Sequence, residues 1–231
     1  MKPVNFIDLI AGGLGGLPPS VVGTWIVMGL LLIFAVLARR ALNAAVDPMT
    51  PDEGMTLRGF GEVLAEWLDG FVANVSELHG SRRLVPFFGS LFIFILAANF
   101  FGMIPGMEPP TGDTNLTFAL GAICFAFYIY QGFKSQGAIY LKSFLGPMLI
   151  LAPLMLPIEL ADNLFRPFSL GVRLFANMFA DHQVLGLFTR LTYVVVPLAF
   201  YALGAIVCIV QALVFTILAI TYVRMASAAQ H

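Results

Sequence analysis

Six polar residues recur at helical spacing inside an otherwise apolar stretch of this chain. They are Glu159, Asp162, Arg166, Ser169, Arg173 and Asn177. Because successive members are three or four residues apart, a helix that turns about 100° per residue places all six within about 80° of one face. A polar face on an otherwise apolar membrane helix is directed toward protein or water rather than lipid.

Arg173 carries the strongest chemical signal on this face. It is predicted near the middle of the membrane, where an arginine costs at least ~2.5–3.5 kcal/mol on insertion scales. Its guanidinium cannot practically lose its proton, so it must face an acid or a water-filled cavity. The spacing leaves two explanations, which are a carboxylate on another chain or a helix-packing salt bridge with Asp113, Glu159 or Asp162.

Two further groups of polar residues indicate contacts or a proton path. Asp181 and His182 suggest a proton relay, because histidine titrates near neutral pH, although both residues could simply be solvated near the membrane interface. Gln211 is the only amide within residues 191–223. It is expected to bond to a neighbouring helix, through Asn177 or Arg173, or to line a water path.

The composition is that of a protein whose surface faces lipid. Hydrophobic residues make up 59% of the 231-residue chain and charged residues 11%, whereas a soluble domain carries roughly 25% charged residues. The net charge of −1 gives no indication of a nucleic-acid partner. Cys124 and Cys208 lie in apolar runs and are predicted to be small core residues. The sequence has no phosphate-binding glycine loop, CxxC or HExxH motif, so no cofactor or metal is expected.

Apolar stretches long enough to cross a bilayer as helices recur along the chain. They predict an all-α polytopic membrane protein, a single membrane domain with five membrane-embedded helices and one interfacial amphipathic helix. The last two helices exceed the bilayer thickness, so they must tilt, curve or break, and their turn is predicted near residues 189–192. The predicted parts are an outer N-terminal segment (1–19), a first transmembrane helix (20–42), an interfacial helix (55–79), a transmembrane hairpin (84–133) and a long tilted helix hairpin that carries the ion path (144–224).

Basic residues predict the orientation of the chain. With five crossings, eight of them fall on one side, whereas the opposite connection of residues 105–115 contains acids but no lysine or arginine. The N-terminus is therefore predicted outside and the C-terminus in the cytoplasm. For residues 55–79, a small soluble cap helix is the alternative to an interfacial one. The residues on the cytoplasmic side are Arg39, Arg40, Arg58, Arg82, Arg83, Lys134, Lys142 and Arg224, and Arg190 is the exception.

The most specific pattern is the ordered segment of residues 167–182, PFSLGVRLFANMFADH. It resembles the signature of subunit a of F-type ATP synthases. Residues 211–222, QALVFTILAITY, resemble the final helix of that family, and residues 99–105, NFFGMIP, with residues 115–117, NLT, are similar to its second and third spans. The resemblance covers nearly the whole chain.

This resemblance implies a stator subunit whose two long helices lie beside a rotating ring of c subunits. The ring carboxylates would supply the missing acid, and Arg173 would match the essential arginine that separates two aqueous half-channels. Proton flow through them is coupled to ring rotation and to ATP synthesis by the complex. The implied partners are the c-ring, the subunit b peripheral stalk, the rest of the F-type ATP synthase and the lipid bilayer of a bacterial plasma (inner) membrane.

The resemblance also implies a proton path, with two glycines as departures from the family pattern. Gly204 stands where the family often has histidine or glutamate, and Gly102 stands where an aspartate can occur. The outer path is therefore expected to rely on Asp181 and His182, with Asp113 as a third candidate. The residues of the path are Asn177, Gln211 and Glu159, which match polar positions of the family, together with Asp162, Ser169, Asp181 and His182.

Two other classes of protein also contain apolar helices with polar residues. A secondary transporter usually shows repeated halves with broken helices, and this sequence shows no such symmetry. A non-conducting scaffold explains the apolar runs but not the tolerance of Arg173. The choice between H⁺ and Na⁺ stays open, because the ion-binding carboxylate is expected on another subunit.

Overall fold

Helices form all the regular structure in the computed structural model, which describes residues 7, 17–43, 56–76, 81–104, 106–137, 152–191 and 195–228. The prediction of an all-α chain is confirmed for these residues. The α-helices are α1 (Pro19–Asn43), α2 (Leu57–Ser76), α3 (Val85–Phe101), α4 (Thr114–Gln136), α5 (Ala152–Leu191) and α6 (Val195–Ala228), with 3₁₀ turns at Ser81–Arg83 and Pro110–Gly112.

The helices fall within or close to the ranges predicted from the sequence. α1 lies in the range of the first transmembrane helix, α2 in that of the interfacial helix, and α3 with α4 in that of the hairpin. The assignment of each helix to the membrane core or its interface stays a prediction. Most of residues 1–19, residues 77–79, Lys142, residues 144–151 and the side chains of Glu159 and Arg190 lie outside the described part of the chain.

The surface of the described helices is suited to lipid. Three helices are long and apolar enough to cross a membrane, namely Pro19–Asn43, Thr114–Ser135 and Val196–Ser227, and α3 is a shorter apolar helix. Large apolar side chains are exposed on them, including Trp25 at 63% and Leu198 at 68%. An apolar surface of this extent is typical of a protein that is covered by lipid or by partner chains rather than by water.

The hairpin of α5 and α6 is antiparallel, as three side-chain contacts show. From the far end toward the turn, they are the guanidinium of Arg166 over the ring of Tyr222 at 5.8 Å from the centroid, the hydrogen bond from Asn177 Nδ2 to Gln211 Oε1 at 2.6 Å, and the stacked rings of Phe188 and Phe200 at 4.4 Å. α5 continues through Leu191 and α6 begins at Val195, so residues 189–191 of the predicted turn are helical.

The length of α5 is accommodated without a break. The helix has 40 residues and passes through Pro157 and Pro167, although an interior proline lacks the N–H that the helix ladder requires. At 1.5 Å per residue, it is about 60 Å long, roughly twice the hydrocarbon thickness. Of the predicted solutions of tilting, curving or breaking, breaking is therefore excluded for residues 152–191.

The main core is formed by five helices together, α2 to α6. Its buried side chains include Phe88, Ile95, Leu170, Leu174, Phe215 and Ile220. α1 packs apart from it, with Val22 in a smaller cluster that also contains Phe101 of α3. Cys124 and Cys208 are both buried and free, which confirms that they are small core residues.

α2 has one face in the core and one face exposed. Leu68 is buried against Gly89 of α3, whereas Phe60 and Val63 are exposed. On the polar side, Arg58 Nε donates to Glu62 Oε1 at 2.7 Å. A helix that exposes apolar and charged side chains together is suited to the membrane interface, and this location stays a prediction.

α4 and α5 approach each other so closely that only glycine fits at two positions. A Cβ on Gly121 would lie 2.7 Å from the carbonyl oxygen of Pro167, and a Cβ on Gly171 would lie 3.1 Å from the carbonyl oxygen of Thr117. Both contacts are with backbone atoms, which cannot rotate away. Small residues at such positions are the usual means by which membrane helices pack closely.

The variant Gly121→Ala is therefore expected to destabilise the protein by about 1–3 kcal/mol, because the added methyl group overpacks the contact with the backbone of α5. The melting temperature of the purified protein and its amount in membranes measure the effect. Gly29→Ala on α1 is the matched control, since nothing lies within 4 Å of that position. Equal stability of the two variants would contradict the close approach.

Candidate ion path

The polar face of α5 lies beside the core rather than inside it. α5 buries Leu170 and Leu174, and the polar face is centred about a quarter turn away around the helix. Lipid cannot solvate such groups, so in a membrane this face requires water or the polar surface of another chain. On it, Asp162, Ser169, Arg173 and Asn177 are exposed, and Arg166 is half-buried.

Arg173 has no ion pair with any described residue. Two of the three acids considered for a packing salt bridge are engaged elsewhere. Asp113 accepts hydrogen bonds from the hydroxyl of Ser20 and from the backbone N–H of Asn115. Asp162 pairs with Arg166, with 2.5 Å between Oδ2 and Nη2. A packing salt bridge of Arg173 with Asp113 or Asp162 is therefore wrong.

Asn177 and Gln211 join α5 to α6, one helical turn from Arg173. The hydrogen bond from Asn177 Nδ2 to Gln211 Oε1 confirms the contact predicted for the lone amide of the last helix. Gln211 is buried, and its Nε2 has no hydrogen-bond partner among the described residues. A buried amide nitrogen without a partner is unfavourable, so this position suits a water molecule or a group from outside the chain.

The carboxylate of Asp181 occupies the space beside Gly204. Asp181 Oδ2 lies 2.8 Å from the point where a Cβ on Gly204 would be. A side chain at position 204 would therefore require the carboxylate of Asp181 to move away. The aspartate on α5 and the glycine on α6 are thus neighbours in space, and the acid projects from α5.

Asn99 links α3 to its surroundings through both ends of its amide. Thr111 Oγ1 donates to Asn99 Oδ1 at 2.8 Å, and Asn99 Nδ2 donates to the carbonyl oxygen of Cys208 on α6 at 3.4 Å. Asn99 therefore joins α3 to α6 by a hydrogen bond. Thr111 is fully buried and was missed from the sequence, because its contact with Asn99 depends on how the connection before α4 folds.

A small cavity connects Asn99 with the acid and imidazole of α5. It has a volume of about 20 Å³ and is lined by Asn99, Asp181 and His182, among others. A polar cavity of this size holds about one water molecule. The glycine at position 102 also has a steric explanation, because a Cβ there would lie 2.3 Å from the Cβ of Pro109.

The opposite end of the path contains a separate polar cluster. Arg166 is held by Asp162 and by the ring of Tyr222, and Ser169 Oγ donates to the carbonyl oxygen of Arg166 at 3.0 Å. Nearby, the hydroxyl of Tyr128 on α4 donates to the buried Oδ1 of Asn163 on α5. This last contact was not predicted, although a buried tyrosine usually needs a partner. Within the described residues, no group of three or more metal-ligating side chains could hold an ion.

Apolar helices with a polar face define an integral membrane protein that keeps charged and amide side chains along two adjoining helices. The chain belongs to the ATP synthase A chain family, whose model matches residues 21–224. It is thus a component of the ATP synthase complex, which makes ATP. The resemblance seen in the sequence is confirmed.

Individual relatives match over most of their length. The ATP synthase subunit a of Bdellovibrio bacteriovorus is 46% identical over 195 residues, which cover 84% of this chain and 85% of the relative. The subunit a of Trichlorobacter lovleyi is 39% identical over 205 residues, with coverages of 89% and 85%. That of Solidesulfovibrio magneticus is 38% identical over 206 residues, with coverages of 89% and 82%.

Removing either member of the Asn177–Gln211 pair is expected to destabilise the hairpin. Asn177→Ala leaves the buried amide of Gln211 without this hydrogen bond, which costs about 1–3 kcal/mol. The double variant with Gln211→Leu should cost less than the two single variants added together, because no orphaned amide is left. Melting temperatures of the purified complex for the four forms measure this coupling. Strictly additive losses would argue against a direct interaction.

Proposed function

We propose that this chain is the proton-conducting stator subunit of an F-type ATP synthase, with two aqueous half-channels that lead to carboxylates on a ring of c subunits. Arg173 supports this proposal most directly. It is a permanent charge exposed on a membrane helix, and none of the described acids pairs with it. Membership of the ATP synthase complex supports a neighbouring ring as the source of the acid.

Arg173 separates the two half-channels by its charge. When a ring carboxylate passes, the guanidinium favours the ionised form of the acid and so promotes proton release. The same positive charge repels a proton that would cross directly from one half-channel to the other. Exposure of Arg173 is essential to this role, because a guanidinium tied to Asp113 or Asp162 could not receive a succession of ring carboxylates.

The energy that this arrangement transmits is set by the membrane. Each charge that crosses gains about 2.3 kcal/mol per 100 mV of potential, and each unit of pH difference adds about 1.4 kcal/mol. Several protons must therefore be coupled to one ATP. A ring that accepts one proton per carboxylate adds up the free energy of successive protons. Arg173 prevents the loss of this free energy through a direct proton leak.

Asp181 and His182 form the inner part of the outer half-channel in this proposal. Both are half-buried and line the small cavity near Asn99. The acid that the family often carries on the last helix is provided here by Asp181, which reaches the space beside Gly204. Protons then pass toward the Asn177–Gln211 pair and the ring.

The half-channel on the cytoplasmic side runs along the first part of α5. Asp162 is already neutralised by Arg166, and the hydroxyl of Ser169 is bonded to the helix backbone. These two residues therefore shape the path and solvate it. Glu159 is the carboxylate that we propose as the proton acceptor at this end.

The proposed setting is a bacterial plasma (inner) membrane, with the N-terminus outside and the C-terminus in the cytoplasm. Five helices, α1 and α3 to α6, are embedded in the membrane, and α2 lies at its cytoplasmic interface. The exposed arginines of the 3₁₀ turn, Arg82 and Arg83, then lie on the cytoplasmic side, as the distribution of basic residues requires. The subunit b peripheral stalk is proposed as a further partner.

Arg173→Ala is expected to abolish ATP-driven proton pumping, because the passing carboxylate loses the charge that promotes its deprotonation. Arg173→Lys should fail substantially as well, since an ammonium is a more strongly hydrated point charge. Acidification of inverted membrane vesicles is the measurement, with assembly of the complex checked in parallel. Arg83→Ala, which removes an exposed arginine away from the path, is the matched control. Normal pumping by an assembled Arg173→Ala complex would refute the proposed function.

The double variant Asp181→Ala with His182→Ala tests the outer half-channel. We expect a strong decrease in ring-dependent proton conduction while the complex still assembles, since the relay loses both of its titratable groups. Passive proton flow through vesicles stripped of the catalytic head measures conduction separately from ATP hydrolysis. Thr189→Ala changes an exposed polar residue of the same helix and serves as the control. Conduction equal to that of the control would assign Asp181 and His182 to solvated interface positions.

A further inference from the structure

A cavity of about 410 Å³ lies between the beginning of α1, the connection from α3 to α4, and α5. Two acidic residues line it, and neither lysine nor arginine is among the described residues that line it. A concave surface of one sign concentrates cations at its opening. Its polar lining residues are Ser20, Glu108, Asp113, Thr114, His182 and Gln183.

The contact between Ser20 and Asp113 forms one wall of this cavity. The hydroxyl of Ser20, at the beginning of α1, donates to Oδ2 of Asp113, while Oδ1 accepts from the backbone N–H of Asn115 at 2.9 Å. Both oxygens of the carboxylate are therefore held. Ser20 and Asp113 also line a second cavity of about 240 Å³ on the other side, beside Trp25. The contact thus lies between the two cavities.

The large cavity meets the ion path at His182. His182 and Pro109 line both the 410 Å³ cavity and the 20 Å³ cavity in which Asp181 and Asn99 lie. A proton that reaches the large cavity therefore meets the imidazole first. The small cavity, which His182 and Asp181 line together, has room for about one water molecule.

We propose that the 410 Å³ cavity is the outer mouth of the proton path and that α1 forms its wall through the Ser20–Asp113 contact. This inference rests on the proposed function and extends it to the first helix, which carries none of the polar face. The mouth collects hydrated protons beside Glu108 and Asp113 and passes them to His182. The Ser20–Asp113 wall keeps this pathway apart from the cavity beside Trp25.

Two neighbouring positions on α4 allow a matched test. Thr114 lines the large cavity and Asn115 lines the second one, and both residues are exposed. Intact cells carrying Thr114→Cys or Asn115→Cys are treated with a cationic, membrane-impermeant methanethiosulfonate reagent. Inverted vesicles are then prepared, and ATP-driven pumping is compared with and without labelling. The unsubstituted chain is the reagent control, because Cys124 and Cys208 are buried.

Labelling of Thr114→Cys is expected to reduce pumping at least several-fold, because it places a fixed positive charge in the mouth. Labelling of Asn115→Cys should leave pumping unchanged. The proposal is overturned if Thr114→Cys is not labelled from outside, if its labelling has no effect, or if labelling at both positions inhibits equally. An Arg173→Ala complex measured alongside distinguishes failure of the proposed mouth from failure of the proposed function. Loss of its pumping without inhibition at position 114 would reject the mouth alone, whereas normal pumping by it would reject the proposed function as well.

Ser20 variants test the wall itself. Ser20→Ala removes the hydroxyl and joins the two cavities, so labelling of Asn115→Cys in this background should become inhibitory. Ser20→Thr keeps a hydroxyl and should preserve the difference between the two positions. A purely structural role for Ser20 would reduce assembly without changing which cysteine inhibits, and that result would overturn the proposed wall.

Discussion

A guanidinium that cannot lose its proton, carried on a helix that we propose to lie in the membrane, is the constraint on which the rest of this molecule depends. Lipid cannot solvate Arg173, and the acids Asp113 and Asp162 are bonded to other groups. The charge is therefore not neutralised within the described part of the chain. α5 must therefore satisfy two structural requirements. One side of the helix must be fixed by packing, and the adjoining side must stay accessible.

The packing of α5 satisfies both requirements. Glycine contacts bring its backbone against that of α4 at Gly121 and Gly171, and Leu170 and Leu174 fill the core. Close-packed contacts of this kind restrict sliding and rotation, so the direction in which Arg173 projects is fixed although none of the described acids pairs with its side chain. The bond between Asn177 and Gln211 adds a polar constraint one turn away. The packed side of α5 thus fixes the position from which the accessible guanidinium of Arg173 projects.

Local pattern determined the features that the sequence could predict, and contacts between distant segments determined those that it could not. Helical periodicity identified the polar face of α5, and a lone amide in an apolar helix identified the partnership of Gln211. The sequence did not determine whether α5 continues through Pro167 without a break, because proline disfavours a helix locally while tertiary packing can outweigh this preference. The Ser20–Asp113 contact joins residues 93 positions apart, and no periodic signal connects them. The pairing of Asp162 with Arg166, at a spacing of four residues, could have been anticipated.

The placement of Asp181 beside Gly204 also bears on how this family can change over evolution. What the arrangement preserves is the location of a carboxylate in space, and the helix that carries it can differ. A comparison column by column would record the gain of an acid at one site and the loss of a polar residue at another, as two unrelated events. In three dimensions the two positions are adjacent, because Asp181 Oδ2 lies 2.8 Å from the point where a Cβ on Gly204 would be. The two positions are therefore expected to covary among relatives, because a side chain at position 204 would require the acid at position 181 to adopt another orientation.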